Sequence, residues 1–520
     1  MEQNLYKSKI FFSLILLVLV SFIVGGSFFV KDNSYLTEKY IVKNLNYYKY
    51  NFLFDVSEKG FAGAFSLMNE NTEAKMEDTQ TDSIPVLVYH GVLENADEEN
   101  ISITDFKNQM FALKKAGWQT VTMRDFNAFI QGNATLPDKS FVLTFDDGRK
   151  DSYYPVDPIL KTLDYNAVIF VITKYITEEN PGNYYLSLEE LKQMQKSGRW
   201  EIQPHTYDGH TFYAIDGNGG AGHFYSNRLW LFEENRLETN EEFLARISLD
   251  FAMAKNAIEE KLHEPAVGFA FPFGDFGENS KNIEDAETQV LQIARNFFPI
   301  SFYQTWPGKG FPTNYPEDEF LLKRIDVEAD WDSMKLLSVL ESGQDKELPY
   351  NSSVYRQDDW LFTWGDGIIE NDTLTLQSHA QTTGSSGFLN GSYLWDNYTF
   401  LADIDWISGL SVSLLARYKD EINHVSCVFT ETGVRIEERI QNQIRVIEKR
   451  DIDLATIGHN RKRGVRVSDS MVQCLVNEKV VAVAYTVSDV LSHGGIGFKI
   501  WDSVEGSSNI QITNVSVLPL

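Results

Sequence analysis

Short runs of apolar residues constrain the fold of this chain more than any other feature of its sequence. Each run is only four or five residues long, and their length and composition predict buried strands. They lie at residues 86–89 (VLVY), 141–145 (FVLTF), 167–171 (AVIFV) and 268–271 (GFAF).

Residues with helical spacing separate these runs. One helix is marked by Phe106, Met110 and Leu113 and stops at Gly117. A second is marked by the apolar series Ile247, Phe251, Ala254, Ile258 and Leu262. Because strands alternate with helices, the pattern predicts a parallel sheet, either open or closed into a barrel. In such folds the functional residues lie at the C-terminal ends of strands.

The sequence beyond about residue 343 has a different pattern of apolar and polar residues. Runs such as LSVSLLARY, KVVAVAYTV and IQITNVSVL alternate apolar with polar residues, and turn residues separate them. The alternation predicts an all-β sandwich over residues 353–520, preceded by a linker at residues 343–352. The two cysteines of the chain, Cys427 and Cys474, lie in strand-like runs and can form a disulfide if those strands are neighbours.

The N-terminal part of the chain carries a targeting signal. Residues 11–30 contain no charge and are long enough to cross a bilayer as a helix. Lys7 and Lys9 precede this run, which favours a cytoplasmic segment 1–10 and an external remainder. We expect an uncleaved membrane anchor, because the apolar cores of signal peptides are shorter; a cleaved signal peptide is the alternative. The polar segment 31–82 is typical of a stalk.

The charge of the chain excludes one class of partner. Its formal net charge is −28, whereas binding to nucleic acid needs clustered Lys and Arg side chains to neutralise phosphates. We therefore expect no nucleic-acid partner and an acidic, soluble surface.

Two adjacent carboxylates follow the predicted strand 141–145. Asp146 and Asp147 precede Gly148 at the C-terminal end of that strand, where two neighbouring negative charges are costly without a cation or a shared proton. Asp-Gly is also a common turn pair, so a turn or a helix cap is an equally good interpretation of this motif alone.

Two histidines form a second motif, HTYDGH at residues 205–210. His205 and His210 would point in different directions on a helix or a flat strand, so they meet at one metal only if the segment is a curved loop. Pro204 and Gly209 favour such a loop. Two imidazoles and one carboxylate would make a three-ligand site with an open position.

Two further segments end predicted strands. His90 follows VLVY, and FAFPFGDF at 269–276 ends its strand at Pro272, Phe273 and Gly274. In isolation, His90 is better explained as a packed or solvated side chain, and the second segment as an ordinary turn.

The order of these motifs resembles that of a known family. IPVLVYHGV, FVLTFDDG, EIQPHTYDGH, FAFPFG and RIDVEADW follow one another as in the polysaccharide deacetylases of carbohydrate esterase family 4, and are most similar to the branch that acts on poly-N-acetylglucosamine. The resemblance covers residues 84 to about 340 and implies a deacetylase domain at 83–342 with a distorted (β/α) barrel fold.

The resemblance also implies roles for individual residues. Asp147, His205 and His210 would bind a divalent metal, with Zn²⁺ expected first and Co²⁺ or Ni²⁺ as alternatives. Asp146 would be the general base and His90 the general acid. The substrate would be an acetylated polysaccharide, and the reaction would remove acetyl groups from N-acetylhexosamine residues.

The chain departs from the wider family at two places. Ala270 stands where the family has an arginine that orients the base, and no histidine follows Trp331 before the β-rich region, where the family has its acid. The first departure leaves the environment of Asp146 open, and the second leaves His90 as the candidate acid.

Three questions stay open at the level of sequence. A surface lectin or adhesin on a silent deacetylase scaffold, and an esterase acting on O-acetyl groups, are the alternative functions. The segment 211–240 is a long insertion whose aromatic residues either stack on sugars or pack on themselves. The C-terminal region resembles laminin-G or concanavalin-like sandwiches and could bind glycan or serve structure alone.

Overall fold

A computed structural model describes residues 80–520, except 178–182, 306–309, 319, 353–355, 453–461 and 487. The segments predicted at 1–10 and 11–30, and nearly all of the stalk predicted at 31–82, lie outside the described residues. Within the described part of the chain, no helix combines the length and the apolar character that crossing a membrane requires.

A parallel sheet forms the first region of the fold, with seven strands side by side and a short eighth, Gln119–Thr120, that pairs with Ser140–Phe145. The spatial order of the seven strands is β5-β6-β7-β1-β2-β3-β4, so the N-terminal strand lies in the middle of the sheet. The strands are β1 (Val86–Tyr89), β2 (Ser140–Phe145), β3 (Ala167–Ile172), β4 (Trp200–Thr206), β5 (Gly268–Ala270), β6 (Ile300–Thr305) and β7 (Leu321–Asp326). The four strands predicted from apolar runs are confirmed as β1, β2, β3 and β5.

The sheet curves until its two edge strands face each other. The side chain of Gln203 on β4 donates to the Pro265 carbonyl at 3.0 Å and accepts from the Val267 and Gly268 amides at 2.8 and 3.0 Å. Among the described residues no backbone ladder joins β4 to β5, so side chains bridge the last gap of a nearly closed barrel. This open edge accommodates Pro204, which has no N–H to donate. The predicted barrel is confirmed in this form.

Helices connect the barrel strands, and side chains define where several of them begin. Ser102 caps α1 by accepting from the Asp105 amide, and Thr239 with Glu242 forms a capping box at α6. The helices are α1 (Ile103–Lys115), α2 (Met123–Ile130), α3 (Asp157–Leu163), α4 (Lys174–Thr177), α5 (Leu188–Lys196), α6 (Asn240–Lys261), α7 (Ala286–Ala294) and α8 (Ser333–Gly343). Both predicted helices are confirmed, as α1 and α6.

The region beyond α8 is a sandwich of two antiparallel sheets. One has the order Asp366–Glu370, Thr373–Gln377, Asn509–Pro519, Tyr398–Ser408, Lys462–Ser468, Met471–Val476 and Lys479–Tyr485, and Tyr350–Ser352 also pairs with Asn509–Pro519. The other has the order Trp360–Trp364, Gly384–Leu389, Gly495–Trp501, Ser411–Asp420, Asn423–Thr430, Gly433–Ile440 and Gln443–Asp451.

A disulfide between Cys427 and Cys474 joins the two sheets of the sandwich. The two cysteines lie on strands of different sheets, so they face each other across the core instead of along one sheet. Both are fully buried among aliphatic and aromatic side chains. The large aromatic residues Trp360 and Trp395 also belong to this core, as expected for alternating strands.

Candidate metal centre

The turn after β2 separates its two carboxylates. Asp147 has a positive φ of 69°, and Gly148 follows with a φ of 72°. A Cβ at position 148 would lie 2.9 Å from the Val171 side chain, so the turn needs glycine there. Left-handed backbone at a non-glycine residue is typical of functional sites that the surrounding structure holds in place.

A β-bulge aims the first imidazole into the barrel. Val171 of β3 pairs with Pro204, but the next pair is Ile172 with Thr206, so His205 is the extra residue. Its Nδ1 lies 2.7 Å from the Ala270 carbonyl, which assigns the ring proton to Nδ1 and leaves the Nε2 lone pair free for a metal. The curved loop expected between the two histidines is confirmed for residues 207–210, but His205 itself lies in strand β4.

A buried carboxylate on α6 shapes the turn between the two imidazoles. Asp250 accepts from the Thr206 hydroxyl at 2.9 Å and from the amides of Tyr207 and Asp208 at 3.0 and 2.9 Å. The Thr206 hydroxyl in turn accepts from the Gly209 amide at 2.7 Å. This network folds the turn back toward the barrel axis, so that both imidazoles reach the same carboxylate.

The three predicted metal ligands converge. Ligand atoms of Asp147, His205 and His210 all lie within 4.8 Å of one another. The Nε2 atoms of His205 and His210 lie 3.7 and 3.1 Å from Asp147 Oδ1. A tetrahedral Zn²⁺ with bonds of about 2.0–2.1 Å separates its ligand atoms by about 3.3 Å, close to these distances.

The protonation states of Asp147 and His205 also suit a cation. Burial would lower the pKa of His210, but its contact with Asp147 raises it, so a metal ion would displace a proton there. Asp147 Oδ1 is buried and accepts no hydrogen bond of regular geometry. Burial alone would raise the pKa of Asp147, but the neighbouring imidazoles of His210 and His205 bring it well below its usual value. Burial lowers the pKa of His205 to about 4, which keeps its imidazole neutral. An ionised carboxylate and a neutral imidazole are the forms that bind metals, and the residues present therefore fit a divalent ion.

Asp146 forms a buried ion pair with an arginine on β7, the strand on the other side of β1. Arg324 on β7 donates to both oxygens of Asp146, at 2.6 and 2.8 Å, and both side chains are almost completely buried. Burial raises the pKa of Asp146, but the charge and hydrogen bonds of Arg324 and the charges of His205 and His90 together lower it below its usual value, so the carboxylate is ionised. Sequence reasoning missed Arg324, although it stands in the quoted segment RIDVEADW.

His90 lies at the end of β1, beside the two carboxylates. Its Nδ1 is 3.9 Å from an oxygen of Asp326, and its Nε2 is 3.3 Å from the side-chain nitrogen of Gln304. The Ser152 hydroxyl donates to its backbone carbonyl at 2.6 Å, which fixes the strand end. The His90 ring therefore faces the site between Asp326 and Gln304.

All five predicted site residues line one cleft of about 940 Å³. Its other walls carry many carboxylates, and Arg149 is the one Lys or Arg among the described lining residues. The lining includes His90, Asp97, Glu98, Glu99, Asp105, Asp146, Asp147, Arg149, His205, His210, Phe273, Asp326, Glu328 and Asp330. The cleft is open at the C-terminal ends of the barrel strands, where the fold predicts a site.

Two residues near the metal ligands have structural contacts instead of roles at the site. The Asp208 carboxylate pairs with Lys174 at 2.8 Å, and the imidazole of His205 is oriented by the Ala270 carbonyl. Tyr225 cannot stack on a sugar, because it is 1% exposed and its hydroxyl hydrogen-bonds to Asp250.

The barrel region of the chain is similar to known proteins. Residues 133–290 match the family model described as polysaccharide deacetylase. The poly-β-1,6-N-acetyl-D-glucosamine N-deacetylase of Escherichia coli (strain K12) is 27% identical over 195 residues, which are 35% of this chain and 29% of the relative. The protein of the same name from Staphylococcus aureus (strain MRSA252) is 34% identical over 112 residues, 21% of this chain and 38% of the relative.

The chain thus covers about a third of the length of these curated relatives. Among solved structures, a de-N-acetylase from Aggregatibacter actinomycetemcomitans aligns with a TM-score of 0.42 and 22% identity. That alignment covers 49% of this chain and 99% of the other chain.

Proposed function

Because the chain contains a polysaccharide deacetylase domain, we propose that it is a metal-dependent hydrolase that removes acetyl groups from N-acetylhexosamine residues of a polysaccharide. One observation carries the proposal: the side chains of Asp147, His205 and His210 converge in the same cleft as an ionised Asp146 and as His90. The resulting site offers metal ligands, a proton acceptor and a proton donor to one substrate.

The metal would be held by the three convergent side chains, with Zn²⁺ as the first candidate. A bound divalent cation supplies Lewis acidity, which lowers the pKa of water and polarises a carbonyl group. Asp146 accepts the proton of the attacking water. Its ion pair with Arg324 holds the carboxylate in one orientation and keeps it ionised, so it is ready to accept that proton.

The departing amine needs a proton, and His90 is placed to supply it. Its imidazole faces the cleft, with a carboxylate oxygen of Asp326 3.9 Å from Nδ1, and a positioned imidazole of this kind can act as a general acid. Proton transfer from His90 to the amide nitrogen then accompanies cleavage of the C–N bond and releases a free amino group on the sugar. The Gln304 side-chain nitrogen lies 3.3 Å from Nε2, where it can donate to the neutral imidazole before His90 is protonated.

The names of the relatives support poly-β-1,6-N-acetylglucosamine as the first substrate to test. Peptidoglycan and chitin-like chains carry the same N-acetyl group, so they form the comparison set. We propose that the sandwich is an accessory region. Measuring glycan binding separately from turnover would distinguish a glycan-binding role from a structural one.

We also propose that the catalytic region lies outside the cytoplasm, anchored through residues 11–30. The uncharged apolar run supports this location, and so does the disulfide Cys427–Cys474, since disulfides persist in oxidising compartments. Membrane fractions and protease treatment of intact cells would test it. A protein found in the soluble cytoplasmic fraction would contradict it.

An acetate-release assay tests the function directly. Purified protein, loaded with Zn²⁺, is incubated with N-acetylated polymers and with O-acetylated polymers matched in length. Release from the N-acetylated set alone supports the amidase. Release from the O-acetylated set alone favours an esterase, and measurable glycan binding without any release favours a lectin. In the same assay His90→Asn is expected to lose about 10²–10⁴ in rate; a loss below tenfold would remove His90 from the mechanism.

A further inference from the structure

Three aromatic side chains form a surface beside the metal ligands, which we call the aromatic shelf: Phe212, His223 and Phe273. The ring of His223 is parallel to that of Phe273, at 4.5 Å and 9°. Phe212 lies 4.8 Å from His223 and 5.5 Å from Phe273. Phe212 is 61% exposed and Phe273 38% exposed, so an apolar ring surface faces solvent here.

A buried carboxylate, that of Asp275, fixes the orientation of His223 in the shelf. The Nδ1 atom of His223 lies 2.6 Å from a carboxylate oxygen of Asp275, which is itself 1% exposed. The other oxygen of Asp275 accepts from the Gly277 amide at 3.0 Å. The imidazole therefore cannot rotate out of the stack without breaking a buried hydrogen bond.

Two backbone features fix the other two rings. Phe212 and His223 stand directly opposite each other in an antiparallel hairpin formed by Phe212–Ala214 and Ala221–His223. Phe273 has a positive φ of 60°, which is unfavourable for an aromatic residue and which persists only when the surroundings impose it. The chain thus holds three rings toward solvent where unconstrained aromatic residues would turn inward.

The shelf continues the catalytic cleft. Phe273 lines the cleft and its ring lies 4.4 Å from that of His210, a proposed metal ligand. Phe212 lies beyond Phe273 and outside the cleft lining. A ligand that extends from the metal ligands toward Phe212 would pass from the cleft onto the shelf.

We propose that the aromatic shelf binds the pyranose ring next to the acetylated sugar under attack, in the same polysaccharide chain. The proposal rests on the function proposed above. One face of a hexosamine ring carries C–H groups and matches an aromatic ring in size, and burying both surfaces removes apolar area from water. The shelf would therefore make the enzyme prefer oligosaccharides to single N-acetylhexosamines.

Phe212→Ala is the test variant, because this residue lies outside the cleft and is largely exposed, so the fold should survive. Phe232→Ala is the matched control, since Phe232 belongs to the same insertion and is 73% exposed. The readout is kcat/KM for a β-1,6-linked N-acetylglucosamine pentamer divided by that for the monosaccharide. We expect Phe212→Ala to lower this ratio about tenfold. Phe212→Trp, which keeps an aromatic ring, and Phe232→Ala should both leave the ratio at the wild-type value.

Equal ratios in wild type and Phe212→Ala would contradict sugar binding by the shelf, and so would a wild-type ratio near one. Binding of the pentamer to the metal-stripped protein, measured by calorimetry, gives a second test that needs no turnover. There Phe212→Ala should weaken the Kd about tenfold, and an unchanged Kd would overturn the shelf. Absence of acetate release from every substrate would count against the proposed function, while the Kd comparison would still decide the shelf.

Discussion

Two partly buried carboxylates, one in the barrel and one in the sandwich, differ in how their oxygens are satisfied. Glu421 in the sandwich accepts hydrogen bonds at one oxygen from the hydroxyls of Thr363, Ser386 and Tyr418, at 2.6, 2.8 and 3.3 Å. Asp147 in the barrel has a buried oxygen without a regular hydrogen bond, facing two imidazoles. Buried polar groups without a partner are rare and need an explanation.

The difference separates a structural group from a functional one. Glu421 gains its partners from its own sheet, so it has no remaining need for a ligand. Asp147 sits on strained backbone, and its buried Oδ1 faces only the two imidazoles that would share a cation with it. Beside the cleft of the barrel, Asp147 and Phe273 both have left-handed backbone, whereas the core of the sandwich is stabilised by packing and a disulfide.

The largest expected effect comes from removing the proton acceptor. Asp146→Asn keeps the shape of the side chain but loses the charge that accepts a proton, so we expect acetate release to fall by about 10³–10⁴. Metal content should stay at the wild-type value, because Asp146 is not among the three ligands. Acetate-release kinetics and metal analysis on the same sample check both statements. A near-normal rate would contradict the assignment of the base.

Breaking the buried ion pair is the next largest change. Arg324→Met leaves the Asp146 carboxylate buried without its partner, which typically costs about 3–5 kcal/mol in the free energy of unfolding. Chemical denaturation would measure this loss. Arg236→Met is the matched control, since Arg236 pairs with Glu242 at an exposed site and such pairs contribute about 0–1 kcal/mol. Equal losses in the two variants would contradict the role of burial.

Loss of the disulfide should lower the stability of the sandwich but leave the rate of acetate release unchanged. The double variant Cys427→Ser with Cys474→Ser opens a loop with a sequence separation of 47 residues, which predicts a loss of about 4 kcal/mol. Thermal denaturation would detect it. Below the unfolding temperature, the rate of acetate release should not change, because both cysteines lie in the sandwich core. A loss of rate in the folded variant would show that the two regions are coupled.

A smaller effect is expected from the carboxylate that shapes the turn between the imidazoles. Asp250→Asn should weaken metal affinity by about 10–100-fold, the usual cost of disturbing groups that orient metal ligands. Asp208→Asn is the control, because its carboxylate pairs with Lys174 at an exposed position. Competition with a chromophoric chelator measures both affinities. If Asp250→Asn binds metal as tightly as wild type, the turn does not depend on this network.

Local patterns in the sequence predicted part of this structure well. Strands β1, β2 and β3 are apolar on both faces, which is the pattern that buried parallel strands produce, and the caps and spacing of α1 and α6 are local as well. The paired residues of the two sequence motifs also identified the groups that meet in the cleft. Each of these features is determined by residues that are close together in the sequence.

The missed features depend on distant neighbours. Strand β4 carries Pro204 and Glu201, which argue against a buried strand, and only the open edge of the barrel makes them acceptable. Arg324 reaches Asp146 across 178 residues of sequence, and Asp250 reaches Thr206 across 44. No local pattern links such positions, so the partner of the base and the support of the turn became visible only in three dimensions.

Metal content tests the central claim most directly. Wild type, Asp147→Asn and Glu421→Gln would be incubated with Zn²⁺, freed of excess ion and analysed for bound metal. We predict about one ion per chain in wild type and in Glu421→Gln, and a loss of that ion in Asp147→Asn. Wild-type protein that retains no metal, or an Asp147→Asn variant that retains as much as wild type, would contradict this claim.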